Sequence, residues 1–244
     1  MISGMKVLVT RPKKQAENLC DLIRKSGGEA IAFPVIEIMP FEQAQSGIVT
    51  LQGIDMIIFI SQNAVDYFMK GVNEKIPHGT LMISIGEASS RSMRSHHLRV
   101  DLQPHTSIGS EGLLLLPELQ NMKGKKVLIV RGQGGRELLA ETLRQRGADV
   151  DYLNVYQRGL PSPSSAQCQQ AIKADCLVCT SVVSVKNLMV LLEKDLKSIV
   201  DKPMLVLSDR IKVYALSAGF SSVMVTKSTR DEAFIDELNN MDAQ

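Results

Sequence analysis

Apolar positions along the chain come in short bursts, each followed by a polar turn and then by a longer stretch of helical periodicity. Val7-Leu8-Val9-Thr10 is a β-rich run. Arg11-Pro12 turns the chain, and a helical pattern near Lys13–Ser26 stops at Gly27-Gly28. The pattern predicts a strand over Glu29–Ile38. It predicts a fully buried one over Met56–Ile60, whose carboxyl end meets Ser61-Gln62-Asn63 before a helix from about Ala64. Leu81–Ile85, Lys126–Val130, Cys176–Cys179 and Met204–Leu207 repeat the grammar. Short apolar strands alternating with helices of about 10–15 residues predict parallel sheets covered on both faces. Right-handed crossovers make such sheets doubly wound. Gly159-Leu160-Pro161-Ser162-Pro163-Ser164-Ser165 is the clearest linker-like stretch.

The grammar is also duplicated. Lys6–Ile38 aligns without gaps on Lys126–Arg158 at an offset of 120 residues, with nine of 33 positions identical. The same offset carries Asp55 onto Asp175 and Ser61 onto Ser181. Two similar α/β domains of about 120 residues each are expected, with a ligand cleft between them.

Composition narrows the class. Lys plus Arg number 28 and Asp plus Glu 26, a net charge of +2 that lacks the basic excess of a dedicated nucleic-acid binder. No apolar run approaches the ~18–20 residues of a membrane span. Met1-Ile2-Ser3-Gly4-Met5 has no signal-peptide character, and Met5 is an alternative start. The four cysteines (Cys20, Cys168, Cys176, Cys179) form no disulfide framework, so a reducing cytoplasm is expected. Cys176 and Cys179 read C-x-x-C, but in a strand that offset puts the thiols on opposite faces. No metal site is expected there, nor from His78, His96, His97 and His105, which lack ligand spacing.

In open α/β sheets ligands bind beyond the carboxyl ends of the strands, where free helix N–H groups favour carboxylates and phosphates. Thr10-Arg11-Pro12, Ser61-Gln62-Asn63, Arg131-Gly132-Gln133-Gly134-Gly135-Arg136 and Thr180-Ser181 occupy that position. Ser61 and Ser181 also read as plain helix caps. The glycine-rich turn has Glu137 where a dinucleotide loop needs its third glycine, so a flexible anion-binding turn fits better. Thr229-Arg230-Asp231-Glu232 has capping-box spacing. Tyr152, Asn154 and Tyr156 share one face of an alternating run. Spacing alone reaches a two-lobed cytosolic α/β protein with an anion-friendly cleft.

These residues together resemble the uroporphyrinogen-III synthase family along nearly the whole chain. Val7-Leu8-Val9-Thr10-Arg11-Pro12 is similar to the family's opening strand and turn, and Gly28–Pro34 with Ile36-Glu37-Ile38 to its second strand and interdomain link. Phe59-Ile60-Ser61-Gln62-Asn63-Ala64-Val65 resembles F-T-S-x-N-A-V, with Ile60 where Thr is common. Ile85-Gly86-Glu87-Ala88-Ser89 resembles the G-x-x-T turn, with Ser89 for Thr. Val155-Tyr156 and Lys227-Ser228-Thr229 match too, with Ser228 where Pro is frequent.

The resemblance implies two flavodoxin-like, doubly wound parallel-sheet lobes joined by a two-stranded β ladder. Lobe one would be 1–36 with 158–244 and lobe two 37–157, with ladder strands about 33–38 and 152–158. It implies a lyase that cyclises hydroxymethylbilane to uroporphyrinogen III, inverting ring D and releasing water, without cofactor or metal. Tyr156 would be the proton donor or water-positioning group. Arg11, Ser61, Asn63, Ser89, Arg131, Ser181 and Thr229 would hold the substrate's carboxylates. A cytoplasmic monomer is expected, supplied by hydroxymethylbilane synthase, with no nucleic-acid or membrane partner. A non-catalytic two-lobed small-anion-binding protein and a flavodoxin-like nucleotide-dependent enzyme remain the competing readings.

Overall fold

The computed structural model describes residues 2–41, 50–71, 74–104, 109–135 and 137–242. It divides into two compact units, one formed by the residues up to Glu37 with those from Gly159 onward, the other by Ile38–Arg158.

Unit one is built on β1 (Lys6–Val9), β2 (Glu29–Ala32), β8 (Cys176–Cys179), β9 (Met204–Val206) and β10 (Val223–Val225), in the sheet order β10-β9-β8-β1-β2. Every neighbouring pair is parallel. In that unit's own chain order this is 2-1-3-4-5, the flavodoxin-like doubly wound arrangement, whose switch point lies between β1 and β8. Helices α1 (Lys13–Lys25), α6 (Ser165–Ala171), α7 (Val182–Leu191), α8 (Asp209–Ser217) and α9 (Asp231–Asp242) cover it. Helix α1 buries Ala16, Leu19, Cys20 and Ile23, an i, i+3, i+4, i+7 stripe. It closes where Gly27, at φ +91°, donates to Arg24 O and Gly28 donates to Ile23 O, a double C-terminal cap that needs the left-handed glycine.

Unit two has β3 (Glu37–Pro40), β4 (Met56–Phe59), β5 (Leu81–Ser84), β6 (Lys126–Gly132) and β7 (Asp149–Gly159), ordered β3-β7-β6-β4-β5. Its helices are α2 (Gln62–Gly71), α3 (Glu87–Ser95), α4 (Ser110–Leu114) and α5 (Leu138–Gln145). Each sheet has a core on both faces. Leu8, Leu177 and Val206 pack on one side of the first sheet and Val7, Val178 and Leu205 on the other. Ile57, Phe59 and Leu128 oppose Met56, Ile58 and Ile129 in the second. Continuous apolar strands follow from this double burial.

The duplication is visible bond by bond. Val7 pairs with Cys176 in unit one, and Val127 with Met56 in unit two, the same register under the 120-residue offset. The Lys6 N–H donates to the Asp175 carboxylate at 2.7 Å and the Lys126 N–H to that of Asp55 at 2.9 Å. In each unit the opening strands of one repeat therefore pair with a later strand of the other.

The strand expected over Glu29–Ile38 is two strands in two sheets. After β2, the amides of Phe33 and Val35 donate to the carbonyls of Val9 and Thr10, and both side chains are buried in unit one. That anchoring leaves Phe33–Ile36 irregular, so pairing alongside β7 starts only at Glu37. The segment after β7 leads to Ser164, which caps α6 reciprocally with Gln167. Cys176 and Cys179 point into opposite cores, and burial pushes both thiols up to about 12. Among the described residues no helix is long and apolar enough to cross a membrane.

Candidate functional site

In unit two the chain leaves β4 and turns at Ser61, whose Oγ accepts the Ala64 N–H at 3.0 Å and so caps α2. The same oxygen lies 3.2 Å from the Tyr156 hydroxyl. Tyr156 is only 2% exposed. Its ring lies 5.9 Å from that of Tyr67, whose hydroxyl donates to Ile38 O at 2.6 Å, and the Arg158 guanidinium sits 5.8 Å from its centroid.

Tyr156 reaches this place through an irregularity. Strand β7 pairs Asn154 with Arg131 but Tyr156 with Gly132, so Val155 is an extra residue opposite one step of β6. The expectation that Tyr152 and Tyr156 share a face is therefore corrected. Tyr152 packs with Ile129 and Leu139, whereas Tyr156 joins Leu153, Val155 and Phe59 in the opposite core. The bulge also brings the tyrosine ring onto the backbone of Gly132, where a Cβ would lie 2.5 Å from Cε2 and Cζ. Gly132 is a platform for Tyr156 rather than part of a mobile anion turn.

Arg131 parts company with Tyr156 as well. It projects from β6 to the Tyr152 side, is 3% exposed, and stacks 4.5 Å over the Tyr152 ring. Its Nη1 donates to Glu137 at 3.0 Å, and Glu137 also accepts the Tyr152 hydroxyl. Those two donors hold the Glu137 carboxyl below its usual range; burial first, and then this carboxylate, raise the Tyr152 phenol. Arg136, the last residue of the predicted turn, lies outside the described residues.

The remaining unit-two candidates lie near strand ends. Asn63 is half-buried in the first turn of α2, and Ser89 is buried in the first turn of α3. Beside Ser89, Ser90 bonds Ser84 and donates to Gln103, which donates to Glu87 at 3.2 Å.

In unit one, Ser181 occupies the position of Ser61 in the repeat. It caps α7 reciprocally, with both Ser181–Ser184 backbone-to-hydroxyl bonds at 3.0 Å. Arg11 is engaged: it pairs with Asp231 and lies 5.3 Å from the Phe234 ring centroid, while Asn18 donates to the other Asp231 oxygen at 2.8 Å. Helix α9 starts at Asp231, so Arg230 and not Thr229 flanks the first turn, and the expected Thr229–Glu232 box is not formed. Thr229 is exposed.

The structure thus joins Ser61 to Tyr156 and adds Tyr67 and Arg158, which the sequence reading missed. Arg158 carried a signal, since it follows Tyr156 by two along one strand. Tyr67 carried none.

Two α/β units, each built on a parallel-dominated sheet with a serine-capped helix start at the end of a strand, define a protein of the two-lobed, flavodoxin-like α/β class. The model of Uroporphyrinogen-III synthase HemD matches residues 17–236. The uroporphyrinogen-III synthase of Escherichia coli is 31% identical over 245 residues, covering 96% of this chain and all of that one. That of Salmonella typhimurium is 36% identical over 163 residues, 63% of this chain and 65% of its own. The Helicobacter pylori uroporphyrinogen-III synthetase structure superposes with a TM-score of 0.68 at 16% identity, covering 97% of this chain and 99% of its own. The chain belongs to the uroporphyrinogen-III synthase family, lyases of tetrapyrrole biosynthesis. The non-catalytic anion-binding reading is not favoured.

Proposed function

We propose that this chain cyclises hydroxymethylbilane to uroporphyrinogen III with inversion of ring D, and that Tyr156 assists departure of the terminal hydroxyl. The Ser61–Tyr156 hydrogen bond at the capped start of α2 is the observation that carries this role. Ser61 Oγ already accepts the Ala64 N–H, so its own O–H is free to donate to the phenol oxygen, leaving the Tyr156 O–H to be donated onward. Proton transfer to the bilane hydroxyl breaks the C–O bond and releases water. The cation left behind is stabilised by the pyrrole nitrogen. Attack by the substituted carbon of ring D gives a spiro intermediate, which fragments and recloses with that ring turned over; loss of a proton completes the macrocycle. The protein's main contribution is orientation, with a modest acid term.

Ser61, Asn63 and Ser89 of unit two, and Ser181, Thr229 and Arg11 of unit one, are the proposed carboxylate contacts. Arg11 joins them only if it shares itself with Asp231. The reaction so written uses no cofactor or metal. The reading further has the protein act as a cytoplasmic monomer that receives the bilane from hydroxymethylbilane synthase.

Supplying fresh hydroxymethylbilane and resolving the I and III isomers tests the proposal. The wild-type chain should shift the product to III, and Tyr156→Phe should slow III formation about tenfold or more. A product ratio no different from spontaneous closure sinks the function, and an unchanged Tyr156→Phe rate removes Tyr156 from the chemistry.

A further inference from the structure

Tyr67 belongs to a closed circuit of contacts that runs through Tyr156. Helix α2 meets Tyr156 twice. Ser61, at the helix cap, lies 3.2 Å from the phenol oxygen, and Tyr67, further along the same helix, sets its ring 5.9 Å from the Tyr156 ring. The Tyr67 hydroxyl donates to Ile38 O at 2.6 Å, in β3, the edge strand of the sheet. Phe41, directly after β3, donates its N–H to Val155 O at 3.1 Å. Val155 is the extra residue of the β7 bulge, and the next carbonyl, that of Tyr156, accepts the Gln133 N–H on the β6 side at 2.8 Å. A bulge disrupts its ladder locally, and an edge strand has a neighbour on one side only. Here the bulged carbonyl relies on that edge strand. Tyr67 fastens the edge strand to α2, whose Ala64, Val65 and Phe68 share an apolar cluster with Val155 and Tyr156.

From this we infer that Tyr67 is a positioning residue for Tyr156. By pinning Ile38 it holds Val155 in the bulge, and by its ring it holds the phenol against Ser61. It acts through Tyr156 and not on the reacting atoms. Its consequence for the reaction rests on the acid role proposed for Tyr156; the circuit of contacts does not. A tyrosine that only filled space would be replaced equally well by phenylalanine, so the hydroxyl separates the two roles.

Tyr67→Phe keeps the ring and removes only the hydroxyl, so it tests the circuit without opening the core. The full chain, labelled with 13C at the tyrosine Cζ, holds four such carbons, and that of Tyr156 is assigned by its loss in Tyr156→Phe. In Tyr67→Phe the Tyr156 signal should move while those of Tyr152 and Tyr214 stay. The Phe41 amide should exchange with deuterium about two- to tenfold faster, the worth of one neutral hydrogen bond, while Ile129 in the central strand β6 keeps its protection. With hydroxymethylbilane, kcat for isomer III should fall by a similar factor with KM little changed. That loss should vanish in a Tyr156→Phe background, because Tyr67 acts through the phenol. Tyr67→Leu, which also removes the ring, should lose more. A Tyr156 signal and Phe41 exchange as in wild type overturn the proposal. So does an unchanged kcat in Tyr67→Phe where Tyr156→Phe is slow, or a loss that persists without the Tyr156 hydroxyl, the mark of a merely structural role. If Tyr156→Phe itself runs at the wild-type rate, the acid reading fails instead; the signal and exchange measurements need no turnover and still decide whether Tyr67 sets the Tyr156 geometry.

Discussion

Gly132→Ala isolates the packing that places Tyr156. The new Cβ would sit 2.5 Å from two carbons of the Tyr156 ring, whereas carbon contacts are comfortable near 3.5–4.0 Å. The ring must therefore move by about 1 Å, which stretches its 3.2 Å hydroxyl contact with Ser61 past hydrogen-bond length. Overpacking of this kind costs about 1–3 kcal/mol. Gly132 has no positive φ, so in the absence of the ring alanine would instead stabilise by about 0.4–1 kcal/mol through the unfolded chain. Steric conflict wins only while the ring is present, and the sign of the effect should reverse in a Tyr156→Ala background. Tyr67, Tyr152 and Tyr156 lie in unit two and the chain has no tryptophan, so tyrosine fluorescence during thermal or urea unfolding reports chiefly on that unit. Gly132→Ala alone should lower its midpoint by about 4–12 °C and cut isomer III formation at least as far as Tyr156→Phe does. Wild-type stability and rate, or an equal penalty with and without the Tyr156 ring, would refute the reasoning.

Ser61→Ala and Ser181→Ala remove repeat-related caps, so each should cost about 0.5–2 kcal/mol in denaturant unfolding; Ser61→Ala should also lower kcat for isomer III, because Ser61 meets Tyr156, whereas Ser181→Ala, at a proposed carboxylate contact, should raise KM with kcat little changed. The Lys126 N–H, then the Lys125 ammonium, hold the Asp55 carboxyl below its ordinary value of 3.8. Its stabilisation is therefore present above that value and lost as pH falls through the lower folded pKa. Urea midpoints of wild type and Asp55→Asn should differ at pH 6 and converge as the pH drops below about 3.8; a gap that persists there would contradict the linkage. Alkylation at pH 8 followed by mass mapping should leave Cys176 and Cys179 unmodified until the chain is unfolded, since burial holds both thiols near about 12.

Much of the candidate site was legible as positions and little of it as contacts. Ser61 and Ser181 were readable as caps because a hydroxyl at a strand-to-helix turn has a local role. Arg11 looked free because its partner, Asp231, is 220 positions away. The capping-box reading at Thr229 gave way because α9 begins at Asp231, one residue later than a Thr229 cap allows.

By itself the sequence determined the strand-helix grammar, the double burial of both sheets and the 120-residue duplication. These depend on local periodicity, which apolar burial imposes residue by residue. Tertiary structure alone decided which repeat's strands pair. Val7-Leu8-Val9 and Val127-Leu128-Ile129 have nearly interchangeable edges, and the choice is recorded in distant bonds such as Lys6 to Asp175 and Lys126 to Asp55. It also decided the face of Tyr156. One bulged residue reverses every side chain after it, and a period-two pattern carries no mark of where the partner strand will yield that residue.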